Sequence, residues 1–192
     1  MGRWEEGARE RLLLAALDLF TEQGYDDTTV AQIAERAGVT RSTFFRYFPD
    51  KRDLLAAGQE TLSRLLSEGI ADAPTDASAL DAVAAGLERM STAMGPISRE
   101  ISPRLRAVIA ASAELQQRQA AKIVGLASAV SAALVGRGIP EATALVASQL
   151  GVLAFHRGYE KWSQGDVATS EEFARLALAA LAELRVASAA LG

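Results

Sequence analysis

The sequence of 192 residues predicts an all-α protein with about nine helices. Apolar residues recur at helical spacing along the chain, and no segment alternates between apolar and polar residues as a β-strand does. Glycines and prolines fall mainly between these apolar stripes, where helices end or begin. Two Thr-x-x-Gln/Glu segments have the spacing of a capping box at a helix N-terminus.

The first helices are set by capping residues and glycines. The first helix is predicted over residues 6–23, with Gly24 supplying a left-handed end. Thr29 and Gln32 predict the capping box of a second helix, and Gly38 predicts the tight turn that follows it.

Prolines and further caps set the remaining helices. Thr40 is the predicted N-cap of the third helix, which Pro49 stops because the residue before proline avoids helical torsion angles. A fourth helix is expected over residues 51–70, and a break at residues 74–78 precedes five more. Those five are predicted to begin at Asp76 or Ser78, at Arg104 after Pro103, after Ser112, at Pro140 and after Thr169.

Composition limits the chemistry that the chain can perform. It has no Cys and a single His, which excludes a disulfide framework, a thiolate zinc site and a His-only metal cluster. Because no catalytic arrangement or Gly-rich phosphate loop is visible, we expect no catalytic residues, no metal and no cofactor. The charged N-terminus is no secretory signal and no apolar run approaches the ~20 residues of a membrane span, so we expect a cytoplasmic protein.

Basic residues are concentrated in one part of this acidic chain. The net charge of the whole chain is −4. Residues 36–52, however, hold Arg36, Arg41, Arg46, Lys51 and Arg52 against Asp50 alone. Such a patch is either a footprint for DNA phosphates or an ordinary solvated face.

The patch lies in a segment with the layout of a helix-turn-helix, whose second helix fits the DNA major groove. Residues 28–51 read TTVAQIAERAGVTRSTFFRYFPDK. Across residues 8–60 the chain resembles the TetR family of bacterial transcriptional regulators. The most specific part is the run Thr-x-x-x-Ile-Ala-x-x-Ala-Gly-Val-x-x-x-Thr-Phe-Phe-x-Tyr-Phe-x-x-Lys. Beyond about residue 75 the resemblance is only architectural.

The resemblance implies a ligand-responsive transcriptional regulator. In its simplest form this is a repressor that binds a palindromic double-stranded DNA operator as a homodimer and is released by a small apolar effector. It implies a helix-turn-helix DNA-binding head at residues 1–53, a connecting helix at about 51–70, and a helical ligand-binding and dimerisation domain at 75–192.

The third helix is expected to read DNA. Phe44 and Phe48 share one face and should pack on the first two helices, so the opposite face points outward. Arg41 in its first turn is placed to contact a guanine, and Tyr47 and Lys51 are expected on phosphates. The full set of predicted DNA contacts is Thr29, Thr40, Arg41, Ser42, Thr43, Phe45, Arg46, Tyr47 and Lys51.

Several of these residues have a second interpretation. Thr29 and Thr40 are also helix caps, and Arg46 and Arg52 are equally well explained as solvated arginines. Phe45 stands where the family usually has Tyr, so it lacks a hydroxyl for a phosphate and is expected to touch a thymine methyl group instead.

The last two helices carry small and apolar residues at steps of three and four. Two copies of this helix pair would form a four-helix bundle across a twofold axis, whereas the alternative is an intramolecular core. The residues assigned to the dimer interface are Ala147, Gly151, Ala154, Gly158, Phe173, Leu176, Ala180 and Leu184.

A ligand pocket is expected among the fifth to eighth helices, because Met and aromatic residues suit an adaptable apolar cavity. Each candidate is also explained as core. His156 and Arg157 offer polar groups there, although His156 is expected to make a structural hydrogen bond. The pocket candidates are Met90, Met94, Leu105, Ile109, Ile123, Phe155, Tyr159 and Trp162.

Two other classes of function compete with a regulator. An enzyme is disfavoured because the chain offers one His and scattered acids. An interaction adaptor with weakened DNA binding is disfavoured by the basic run of Arg41, Arg46, Lys51 and Arg52. A steep salt dependence of DNA affinity separates a regulator from an adaptor, because counterion release follows the number of phosphate contacts.

Overall fold

The structure, a computed structural model, describes residues 7–56 and 59–190. Within those ranges it contains nine α-helices and one 3-10 helix, and no strand. The predicted all-α class with about nine helices is therefore confirmed.

The helices follow one another in chain order. The N-terminal helices are α1 (Ala8–Gln23), α2 (Val30–Arg36), α3 (Arg41–Tyr47), the 3-10 helix (Lys51–Ala56) and α4 (Gln59–Ala71). The C-terminal helices are α5 (Ala79–Ser91), α6 (Pro96–Ala110), α7 (Ala113–Gly136), α8 (Glu141–Gln164) and α9 (Ser170–Ala189).

Hydroxyl caps fix four of the helix starts. At each of them a Ser or Thr oxygen accepts the backbone N–H three residues further on, which satisfies one of the unpaired donors of the first turn. The caps are Thr29 for α2, Thr40 for α3, Ser78 for α5 and Thr169 for α9. These starts were all among the sequence-based expectations, and Ser78 is chosen over Asp76.

Two helix bounds differ from the prediction. The predicted start of the sixth helix at residue 104 is wrong, because α6 begins at Pro96 and Pro103 lies inside it. Proline suits a first turn, where its missing N–H is not needed, and Pro96 fills that place. The fourth predicted helix begins instead as the 3-10 helix and continues as α4 from Gln59.

The described residues form two compact units. The N-terminal unit draws on Met1–Gly58 and Ile101–Gln117, and the C-terminal unit draws on Gln59–Glu100 and Arg118–Gly192. The second half of α6 therefore belongs to the N-terminal unit. Within that unit Arg104 of α6 pairs with Asp18 of α1. The core of this unit is built from Leu12, Leu17, Phe20, Ile33, Phe44, Phe48, Leu54, Ile101, Val108 and Leu115.

Close helix contacts in the C-terminal unit depend on glycine. A Cβ added at Gly86 of α5 would lie 2.7 Å from the carbonyl oxygen of Leu66 in α4. A Cβ at Gly158 of α8 would lie 2.6 Å from Cα of Ala177 in α9. Both distances are shorter than van der Waals contact, so these helix pairs approach one another only because the glycines lack side chains.

Arg137 joins the turn between α7 and α8 to the end of α4. Its guanidinium donates to the carbonyl oxygens of Ala71 at 2.9 Å, Ala73 at 2.8 Å and Pro74 at 2.5 Å. These carbonyls lie at the end of α4 and in the segment directly after it, where no helical N–H reaches them. Arg137 thus caps α4 from a position 66 residues away in sequence.

By length and apolar composition α7 meets the requirement for a membrane span, and it is the one helix among the described residues that does so. By these two criteria, the expectation that no segment of the chain is suited to span a membrane is not met. One such helix is weak evidence for a membrane, and 22% of its apolar window is buried within the chain. Here Leu126, Val130 and Leu134 of α7 face the core of the C-terminal unit.

Candidate nucleic-acid interface

The turn between α2 and α3 sets the position of α3. Gly38 has φ of +67°, a left-handed conformation that favours glycine. The N–H of Gly38 donates to Glu35 O at 3.0 Å, and the N–H of Val39 donates to Ala34 O at 2.9 Å. The turn is thereby closed by backbone hydrogen bonds, and the direction in which α3 leaves it is fixed.

The two faces of α3 differ sharply in exposure. Phe44 and Phe48 are buried in the core of the N-terminal unit, with ring centroids 5.8 Å apart. The prediction that these two rings form the inner face is confirmed. The outer face consists of the exposed Arg41, Ser42, Phe45 and Arg46, flanked by the half-buried Thr43 and Tyr47.

An aromatic side chain lies at the middle of the outer face. Phe45 is 49% exposed, which is unusual for a large apolar ring in a folded chain. Its ring meets that of Phe44 edge-on at a centroid distance of 5.4 Å. Next to it, the guanidinium of Arg46 lies 5.1 Å from the centroid of the Tyr47 ring. The face therefore combines two arginines, hydroxyls and one open apolar ring.

The threonines at the helix starts are held by internal hydrogen bonds. Thr29 and Gln32 form the complete capping box, in which Gln32 Oε1 accepts from the backbone N–H of Thr29 at 2.8 Å and from its hydroxyl at 2.9 Å. Thr40 Oγ1 accepts from the N–H of Thr43 at 3.1 Å, and the two hydroxyl oxygens are 3.0 Å apart. The predicted capping roles of Thr29 and Thr40 are confirmed, while their DNA contacts stay predictions.

Two arginines of the basic patch are engaged with carboxylates. Arg36 forms two hydrogen bonds with Glu22 of α1, at 2.9 and 2.8 Å, and this pairing lowers the pKa of the Glu22 carboxyl. Arg52 pairs with Asp50 at 2.5 Å, which lowers the pKa of Asp50. The sequence count missed Glu22, because the fold brings it to Arg36 from 14 residues away. Two of the five basic residues in the patch are therefore paired with carboxylates.

Lys51 has a structural role that the sequence did not reveal. Its ammonium donates to the carbonyl oxygens of Tyr25 at 2.5 Å and Thr28 at 2.8 Å, and it lies 4.1 Å from the centroid of the Tyr25 ring. Burial lowers the pKa of Lys51, and the nearby carboxylate of Asp26 partly opposes that effect. Lys51 thus ties the 3-10 helix to the loop between α1 and α2.

The predicted pocket residues fall into two groups. Leu105 and Ile109 pack against the core of the N-terminal unit. The other six belong to the C-terminal unit, where Met90, Met94 and Trp162 are buried and Ile123, Phe155 and Tyr159 are partly buried. The structure does not bring the eight together in one core.

Most of the predicted dimer residues pack inside the chain. Ala147, Gly151, Ala154, Gly158, Phe173 and Ala180 are buried, and Leu176 and Leu184 are partly buried. A Cβ on Gly151 would meet Val83 of α5 at 2.7 Å, so that side of α8 faces the core of its own unit. The large apolar side chains that α8 and α9 expose are instead Leu145, Val146, Leu153 and Val186.

Comparison with known proteins gives the family of the N-terminal helices. Residues 12–57 match the family described as bacterial regulatory proteins, tetR family. These residues span most of α1, all of α2 and α3, and the 3-10 helix.

Curated relatives match over the same part of the chain. The transcriptional regulator BetI of Cronobacter sakazakii is 40% identical over 63 residues, which are 33% of this chain and 31% of BetI. TcmR of Streptomyces glaucescens is 50% identical over 46 residues, or 24% of this chain and 20% of TcmR. The chain therefore matches less than a third of the length of these relatives. Both are named transcriptional regulators, in agreement with the expectation of a regulator and not an enzyme.

Solved structures extend the likeness to the whole fold. The SmeT–triclosan complex has a TM-score of 0.57 at 21% identity, covering 94% of this chain and 91% of SmeT. NalD of Pseudomonas aeruginosa, the secondary repressor of the MexAB-OprM multidrug efflux pump, has a TM-score of 0.54 at 21% identity and covers 93% of this chain and 96% of its own. At these identities the likeness concerns the fold alone.

Proposed function

Through residues 12–57 the chain belongs to the TetR family of bacterial regulatory proteins, and we propose that it is a transcriptional regulator that binds a palindromic DNA operator as a homodimer. A small apolar effector releases it from the operator. The regulator acts in the cytoplasm, and repression is its proposed sign. That sign is supported by the likeness to NalD, which is named a repressor.

The observation that carries this proposal is the exposed outer face of α3. The seven residues of α3 and the C-cap Phe48 bury two phenylalanines, and they leave two arginines, a serine and a phenylalanine in solvent. A solvated surface helix needs no exposed aromatic ring at its centre, whereas a helix lying in the major groove meets both base edges and thymine methyl groups.

Each residue of the outer face has a proposed contact. Arg41, in the first turn, forks onto the O6 and N7 atoms of a guanine, and Phe45 touches a thymine methyl group. Thr29, Thr40, Ser42, Thr43 and Tyr47 are proposed on phosphates or base edges, and Arg46 on the neighbouring backbone. The ammonium of Lys51 has three hydrogens, and the two internal bonds leave one for a phosphate.

The proposed dimer uses the outward sides of α8 and α9. Val146, Leu153 and Val186 are 57%, 45% and 73% exposed, and these values are high for large apolar side chains on helices. Arg157 and Lys161 of α8 both approach Glu183 of α9 within 3.8 Å, so the two helices present one continuous surface. Packing two copies of that surface gives a four-helix bundle and a twofold axis.

The proposal is tested by selecting operator fragments from genomic DNA with the parent protein and with Arg41→Ala. Arg41→Ala should bind the selected palindrome less tightly by about 1–3 kcal/mol for each half-site and should relax the base preference at one position of each half-site. Arg64→Ala is the matched control, because Arg64 is an exposed arginine of α4 paired with Glu68. Equal selection by the parent and Arg41→Ala would show that α3 does not read bases.

A further inference from the structure

One exposed arginine of the N-terminal unit lies outside the basic patch of residues 36–52 and against the end of α3. The guanidinium carbon of Arg9, in the first turn of α1, lies 5.5 Å from the centroid of the Phe48 ring. Phe48 is the C-cap residue of α3 and is itself buried. Charge counting gives no sign of this residue, because residues 1–14 contain three arginines and three glutamates. The fold therefore adds a basic side chain from α1 to the C-terminal end of α3.

The charge of Arg9 is not neutralised by a carboxylate. Within residues 7–56 and 59–190 no carboxylate oxygen lies within 4.0 Å of its guanidinium. Three other arginines of the N-terminal unit do pair with carboxylates, and these pairs are Arg36–Glu22, Arg52–Asp50 and Arg104–Asp18. A cation–π contact uses the flat face of a guanidinium and none of its five N–H donors. The donors of Arg9 are therefore available to an anion.

The place of Arg9 along α3 suits a phosphate better than a base. A recognition helix presents its N-terminal residues to the base edges, which gives that task to Arg41. From Arg41 to Phe48 the helix rises by about 10 Å, at about 1.5 Å per residue. The major groove is about 12 Å wide, so a charge at the Phe48 end lies toward the sugar–phosphate backbone that borders the groove.

We propose that Arg9 binds a backbone phosphate of the DNA and that Phe48 positions it. This contact rests on the proposed regulatory function, because it requires α3 to lie in the major groove. The ring of Phe48 packs against Phe44 in the core with centroids 5.8 Å apart, so it is a fixed support for the guanidinium. A side chain that is held in place before binding loses less conformational entropy when it meets the phosphate.

The test is a titration of a selected palindromic fragment and a scrambled fragment with the parent and with Arg9→Met over a series of salt concentrations. Each protomer of the dimer loses one phosphate contact, so the slope of log K against log salt should fall by about 1.8, or about 0.9 for each contact. Between about 50 and 200 mM salt the parent should then lose about twelvefold more affinity than Arg9→Met. Both fragments should respond alike, because a phosphate contact carries no sequence information. An unchanged slope, or a loss confined to the palindrome, would overturn the proposal.

Two further variants separate the charge of Arg9 from its packing. Arg9→Lys keeps the charge and should keep the slope of the parent, so a slope as low as that of Arg9→Met would refute the phosphate contact. A purely structural contact with Phe48 would lower the melting temperature of Arg9→Met and leave its slope unchanged. Arg64→Met, at an exposed arginine of α4, should keep the slope.

The parent protein distinguishes the failure of this contact from the failure of the proposed function. If the parent binds DNA with a steep salt dependence and Arg9→Met matches it, the role of Arg9 is rejected and the regulatory function stands. A parent that binds neither fragment rejects the regulatory function and the contact with it.

Discussion

Lys51→Met is predicted to cost both stability and DNA affinity, because the ammonium serves two purposes. It donates to the carbonyl oxygens of Tyr25 and Thr28 at 2.5 and 2.8 Å. Hydrogen bonds from a charged donor contribute about 1.5–3 kcal/mol each, and the burial of the ammonium offsets part of that sum. We therefore expect a net loss of about 2 kcal/mol, or a fall in Tm of about 4–8 °C for a chain of this size.

Arg64→Met is the control for this measurement, because Arg64 lies outside the surfaces proposed for DNA and for the second copy. Arg64 is an exposed arginine of α4 whose guanidinium lies 2.6 Å from Glu68. Exposed ion pairs contribute about 0–1 kcal/mol, so this variant should melt close to the parent. Thermal unfolding followed by circular dichroism compares the three proteins. A Lys51→Met protein that melts with Arg64→Met would refute the stabilising role assigned to Lys51.

Titration of the same variants with DNA tests whether the Lys51 ammonium also binds a phosphate. If the remaining ammonium hydrogen binds a phosphate, Lys51→Met should weaken binding to operator and scrambled DNA alike. Because each protomer of the proposed homodimer carries one Lys51, it should also reduce the slope of log K against log salt by about 1.8, or about 0.9 for each phosphate contact. Arg64→Met should leave the slope unchanged. An unchanged slope in Lys51→Met would assign Lys51 to structure alone.

Three further predictions concern other parts of the chain. Gly158→Ala should lower the stability by about 1–3 kcal/mol, because its Cβ would lie 2.6 Å from Ala177 Cα. At Gly125 of α7 an added Cβ would have no neighbouring atom within 4 Å, so Gly125→Ala should raise the stability by up to about 1 kcal/mol. Equal melting temperatures for the two variants would contradict both predictions. Since burial lowers the pKa of His156 from 6.5, the folded state binds its proton less readily, and stability should fall as pH drops below about 6.5. His156→Phe should remove that fall in unfolding scans between pH 7.5 and 5.5, and an identical fall in both proteins would exclude His156 as its source. Phe45→Tyr should bind operator and scrambled DNA more tightly and with less selectivity, because its hydroxyl reaches a phosphate; unchanged titrations would remove Phe45 from the interface.

The helix starts were predictable because their signals are local. Thr29, Thr40, Ser78 and Thr169 each cap the helix that follows within the next three residues. The inner and outer faces of α3 were predictable for the same reason, since the helical period alone separates Phe44 from Phe45. Pro103 misled the prediction because a proline marks a permitted helix start without requiring one.

Partners distant in sequence were not predictable. Glu22 reaches Arg36, and Lys51 reaches two carbonyls of the loop at residues 25–28, only after α1 and α2 have packed. Local charge counting therefore overstated the open positive charge and treated Lys51 as a phosphate ligand alone.

The small residues of α8 show a further limit of sequence patterns. Gly151 and Gly158 indicate that another helix approaches closely, but the spacing does not say which helix. The structure places α5 beside Gly151 and α9 beside Gly158 within the same chain. The surface proposed to bind a second copy is instead formed by Val146, Leu153 and Val186. These are not small residues, so the sequence pattern did not single them out.

The most direct test of the central claim is a titration of a selected palindromic fragment and a scrambled fragment of equal length at two salt concentrations. The proposed readout by α3 predicts that the palindrome binds at least about 10³-fold more tightly and that both affinities fall steeply as salt rises. Equal affinity for the two fragments, or binding that is indifferent to salt, would contradict it.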